Sequence, residues 1–110
     1  MNTDLPNNAV GFSRTACRIG ELLAAPTGIE RNDAVDAAQW LLPLPMGRGE
    51  PETSAGLRNP DHYDAKIRAL AAAALRSPAA LDLVTRWNAI TTPNAGPLRY
   101  LTRWTTAPAT

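Results

Sequence analysis

The sequence predicts an all-α fold, a small single-domain bundle of four to five short helices with one long Pro/Gly-rich loop. Three observations lead there. Apolar residues recur at spacings of three and four, which lines one face of a helix. Short β-branched runs, the mark of strands, are absent. Two cap-then-proline pairs, Asn59-Pro60 and Ser77-Pro78, have the form of helix starts.

The first helix is expected from about Phe12 to Ala25. Phe12, Ala16, Ile19 and Leu23 fall four, three and four apart, and Pro26 with Gly28 is the expected stop. Gly20 weakens its middle by about 1 kcal/mol relative to Ala. The second helix has two candidate starts. Thr27 with Glu30 fits a capping box, and Asn32 followed by Asp33 fits a plain N-cap. Val35, Ala38 and Leu42 form its apolar stripe, and Pro43 and Pro45 end it, because neither supplies an amide hydrogen.

Residues 43–58 are expected to be a loop. Loops this long are functional or disordered, and the Pro/Gly/Glu/Ser content favours disorder. The third helix opens at Asn59-Pro60. Asp61 suits the positive end of its dipole, and Asp64 with Arg68 is an acidic-then-basic pair four apart. Ile67, Leu70, Ala71 and Ala74 make its apolar face. The fourth helix opens at Ser77-Pro78, with Leu83, Val84, Trp87 and Ile90 along one side and Asp82 paired with Arg86. Residues 92–97 read as a turn, Leu98 to about Trp104 as a short fifth helix, and 105–110 as a frayed end. Residues 1–9 are expected to be a flexible N-terminus.

At 110 residues there is room for one domain and one core. Aromatics are only 5% of the chain and alanine supplies much of the apolar count, so each large side chain must contribute more to that core. Cys17 is the single cysteine, which excludes an intramolecular disulfide and makes a cytoplasmic setting the expectation. The N-terminus lacks a basic region followed by an apolar core, so no signal peptide is expected. The longest apolar run, Ala69 to Leu75, is far too short to span a bilayer. The Ala/Arg/Pro/Leu bias fits a GC-rich bacterial or phage genome.

The net charge of +1 hides an asymmetry. Residues 1–64 carry five Arg against nine acidic residues, a net of −4. Residues 65–110 carry one Lys and five Arg against Asp82 alone, a net of +5. A basic half suits an anionic partner, whether nucleic acid, an acidic protein face or the acidic half of another copy, so a homo-oligomer is one expectation.

Enzyme signatures are nearly absent. One histidine and one cysteine cannot build the usual zinc ligand sets. No phosphate-binding glycine loop or nucleophile elbow occurs. Cys17 with His62, and the Asp61–Asp64 run, offer acid–base groups, but each is explained more simply by burial, helix dipole or local ion pairing. No cofactor and no catalytic residue is expected.

The feature that does point to function is a short repeat. Val84-Thr85-Arg86-Trp87 recurs as Leu101-Thr102-Arg103-Trp104, so two of the three tryptophans stand beside arginines. On the fifth helix Arg99 and Arg103 share one face, Tyr100 and Trp104 the next. Arginine grips phosphate or carboxylate with a planar fork and stacks on aromatic faces. Trp87 is expected in the core from its helical register. Trp104 is left open between core and surface. The candidate binding residues are Arg86, Arg99, Tyr100, Arg103 and Trp104. The function class they indicate is a non-enzymatic interaction module: a small subunit, adaptor or inhibitor docking on a larger protein or nucleoprotein complex. Direct binding of DNA or RNA is the alternative, with arginines on phosphates and aromatics stacked on bases.

Overall fold

A computed structural model of the chain describes residues 6–45, 60–92 and 99–105, of which 60–63 and 99 are described in backbone only. Among these residues the fold is all-α. Five α-helices occur in the order α1 (Ala9–Thr27), α2 (Arg31–Ala38), α3 (Pro60–Ala74), α4 (Pro78–Thr91) and α5 (Arg99–Thr105), with a 3₁₀ turn at Gln39–Leu41 after α2. Helix α1 packs against α2, α3 and α4; α3 also packs against α2 and carries α5. Most of the expected loop, and residues 93–98 and 106–110, lie outside the described residues.

Helix α1 is longer than its periodicity suggests. It begins at Ala9 because the side chain of Asn8 caps it, accepting from the Gly11 amide at 2.9 Å. Before it, Asn7 Nδ2 donates to the Ile90 carbonyl at 3.0 Å, tying the chain ahead of α1 to the end of α4. At the other end the helix runs through Pro26. In the last turn a proline removes the donor only from the Leu22 carbonyl, and Leu22, Ala25 and Pro26 are all exposed, so the lost bond lies at the surface. The stop is Gly28, in the left-handed region with φ 75°, whose amide donates to Ala24 and Ala25 carbonyls.

Neither expected cap starts α2. Thr27 stays with α1, its hydroxyl donating to the Leu23 carbonyl at 2.6 Å. Glu30 is the cap instead, its carboxylate accepting from the Asn32 and Asp33 amides. The buried residues of α2 are Ala34, Ala37 and Ala38, with Val35 half-buried. The 3₁₀ turn then breaks the α-helical period, so the consecutive residues Trp40, Leu41 and Leu42 are all buried. Trp40 thereby joins the core, which the spacing of apolar residues did not reveal.

Alanine lets these helices approach closely, and Gly20 sets the limit. A Cβ placed there would lie 2.5 Å from Val35 Cα and 2.6 Å from its amide nitrogen. The glycine that weakens α1 as an isolated helix is the point where α2 crosses it.

Helices α3 and α4 follow the expectation closely. Ile67, Leu70, Ala71 and Ala74 are buried, and Arg68 pairs with Asp64 at 3.1 Å. Ser77 caps α4, accepting from the Ala80 amide, with Pro78 in its first turn. Leu83, Val84 and Trp87 are buried, and Arg86 pairs with Asp82 at 3.0 Å. Ile90 departs from the expectation: it is 40% exposed. The buried stripe continues instead through Asn88 and Thr91, which keep the three-four register. Their donors reach back to the preceding turn, Asn88 Nδ2 to the Val84 carbonyl and Thr91 Oγ1 to the Trp87 carbonyl, both at 2.8 Å, while Asn88 Oδ1 is buried with no partner among the described residues. Polar residues that bond backward in this way hold core positions that an apolar pattern assigns to their neighbours.

Candidate interaction surface

Helix α5 is only seven residues long, too short to be stable by itself. Docking holds it. It lies against α3 and the 3₁₀ turn, with Leu101 fully buried and Tyr100 and Trp104 each 8% exposed. Trp104 donates its indole N–H to the Trp40 carbonyl at 3.0 Å. The question the sequence left open is thereby answered: Trp104 belongs to the core. Tyr100 is buried with it. Little of either ring is therefore open to a stacked base.

The arginines cover what the aromatics fill. Arg103 is exposed, and its guanidinium carbon lies 5.3 Å from the centre of the Trp104 ring. Arg68, from α3, approaches the same ring at 5.5 Å and donates Nη1 to the Trp104 carbonyl at 3.3 Å. Two guanidiniums therefore lie over one indole within cation–π range, and Arg68 is held further by its hydrogen bond to the Trp104 carbonyl. Arg68 was legible only as the local partner of Asp64. Its reach to Trp104 spans thirty-six positions and follows from how α3 and α5 pack.

The remaining candidates stand apart from this cluster or outside it. Arg86 is exposed on α4 beside Asp82. Arg99 begins α5, and its side chain lies outside the described residues. Trp87 is fully buried. It donates its indole N–H to the Pro43 carbonyl at 2.7 Å and meets Phe12 at a ring-centre distance of 6.0 Å.

Two further expectations bear on the site. The acidic and basic halves meet within one molecule, because Lys66 on α3 reaches Asp33 on α2 at 2.8 Å. Part of the charge asymmetry is spent on holding the fold. Cys17 is half-buried on α1, whereas the side chain of His62 lies outside the described residues. Among the described residues no group of three or more His, Cys, Asp or Glu is placed to hold a metal ion. No helix there is long and apolar enough to cross a membrane.

Compared with known proteins, the chain matches no family model, no curated protein and no solved structure.

Proposed function

We propose that this protein is a non-enzymatic helical interaction module, a small subunit, adaptor or inhibitor that docks on a larger protein or nucleoprotein assembly through its basic C-terminal surface. The observation that carries this reading is the pair of arginines, Arg68 and Arg103, laid on the Trp104 ring. Stacking holds both forks in place before a partner arrives, so less side-chain entropy is lost on binding carboxylates. The aromatic beneath them serves as a buttress and not as a contact.

This arrangement favours a protein partner over nucleic acid. Single-strand binding combines positive charge with aromatic stacking platforms, and Tyr100 and Trp104 are both buried. Arg68 also has the Asp64 carboxylate at 3.1 Å, which repels phosphate.

The test is affinity capture from the source cell with wild-type protein and with the Arg99→Glu, Arg103→Glu double variant. A protein retained by the wild type and lost from the variant, with helicity unchanged, is the expected result. An identical set of retained proteins would show that this surface does not dock them.

A further inference from the structure

The outward face of α1 carries a second pattern, separate from the C-terminal surface. Val10, Arg14, Arg18 and Leu22 follow one another at intervals of four. Each step turns about 40° and rises about 6 Å, so the four form a continuous oblique stripe roughly 18 Å long. All four are exposed, Val10 by 55% and Leu22 by 40%. The stripe therefore has two cationic side chains at its centre and a large apolar side chain at each end.

The two arginines repel each other mildly at this spacing. Among the described residues, ion pairs join Arg31 with Glu21, Lys66 with Asp33, Arg68 with Asp64 and Arg86 with Asp82, whereas neither Arg14 nor Arg18 pairs with a described carboxylate. Glu21 is the nearby acid on α1. Its carboxylate is held first by the Arg31 hydrogen bond, with Arg18 contributing only a weak attraction.

We infer that this stripe is a docking surface for an acidic amphipathic helix of a partner protein. Such a helix carries two carboxylates four residues apart between two apolar side chains. The pattern Leu-x-x-x-Glu-x-x-x-Glu-x-x-x-Leu reads the same in both directions and matches the stripe in charge and spacing. Charge also argues against a second copy pairing stripe to stripe. An antiparallel pair would set Arg14 against the other Arg18 twice, bringing four guanidiniums together. Nucleic acid fits poorly as well, because Val10 and Leu22 would sit against phosphates and Glu21 lies close by.

The experiment uses the full chain and a fluorescein-labelled, alanine-based helical peptide with that Leu/Glu/Glu/Leu pattern, read by anisotropy at low and physiological salt. The expected result is saturable binding that weakens with salt. It should fall by about tenfold or more in Arg14→Glu, Arg18→Glu and be unchanged in Arg76→Glu, which alters an exposed arginine outside both surfaces. A peptide with Lys in place of both Glu should then bind the Arg14→Glu, Arg18→Glu protein and not the wild type. Because the substituted residues are exposed, helicity should be kept, and Arg14→Gln, Arg18→Gln gives an independent check. Four results would overturn the inference: no binding at low salt, binding indifferent to Arg14 and Arg18, self-association at low salt that the double variant abolishes, or preferential binding of duplex or single-stranded DNA through these arginines. Because the C-terminal surface is read separately, by affinity capture with its own double variant, failure here is distinguishable from failure of that surface.

Discussion

The indole N–H of Trp104 donates to the backbone carbonyl of Trp40, sixty-four positions earlier, at 3.0 Å. Trp87, at the same place in the other copy of the repeat, donates to the carbonyl of Pro43 at 2.7 Å. Both copies thus end in a tryptophan that satisfies a carbonyl of the same short segment, residues 40–43. In both, the residue three before the tryptophan, Val84 or Leu101, is fully buried, and the arginine between is exposed. The repeat has a structural counterpart: two helices clasp one short segment, each donating an indole N–H to one of its carbonyls.

Replacing either tryptophan by phenylalanine keeps most of the apolar volume and removes the donor. Trp87→Phe and Trp104→Phe should each lower unfolding free energy by about 1–3 kcal/mol, the cost of leaving a buried carbonyl unpaired. Truncation to alanine should cost more, about 3–5 kcal/mol, because a cavity is added. Urea denaturation followed by circular dichroism measures both. Loss of less than about half a kcal/mol in both phenylalanine variants would contradict the clasp.

Gly20→Ala separates local from tertiary effects. Helix propensity alone favours the alanine by about 1 kcal/mol. The new Cβ, however, meets the backbone of Val35 at 2.5 Å, and backbone cannot rotate aside as a side chain would. Overpacking of this kind costs about 1–3 kcal/mol, so the net change should be destabilising. A raised denaturation midpoint would mean that α1 and α2 separate more easily than their packing indicates.

Acid should weaken the junction of α1 with α2. The hydrogen bond and charge of Arg31 hold the Glu21 carboxyl below its ordinary value. A lowered folded-state pKa contributes stability that is complete above the unfolded value of about 4.3 and is lost as pH falls through the folded value. The pair is exposed, so the effect is small and screened by salt. Stability measured against pH in wild type and Glu21→Gln should converge at low pH and separate above about pH 4. Curves that stay parallel throughout would remove this pair from the acid response.

Much of the fold was legible because its signals are local. Ser77-Pro78, the Asp64–Arg68 and Asp82–Arg86 pairs and the stripes of α1 and α3 depend on residues within a few positions of each other, whereas the expected cap Asn59 lies outside the described residues. What escaped depends on tertiary packing or on backbone geometry that breaks the period. Trp40 is buried by a 3₁₀ turn, Ile90 is exposed because Asn88 and Thr91 bond backward, and Pro26 is absorbed by a solvent-facing last turn. The candidate site divides the same way. The sequence marked the arginine–aromatic cluster, but which aromatic faces water depends on where α5 docks. Arg68 joins Trp104 only through that docking.

The central claim is that the basic surfaces serve a protein partner and not nucleic acid. The most direct test is fluorescence anisotropy of labelled duplex DNA, single-stranded DNA and RNA with the purified protein, at low and physiological salt. Phosphate binding must weaken steeply as salt rises. The account predicts no micromolar binding at physiological salt and no dependence on Arg103. Micromolar or tighter binding that falls with salt and is lost in Arg103→Glu would contradict it and make this a nucleic-acid-binding protein.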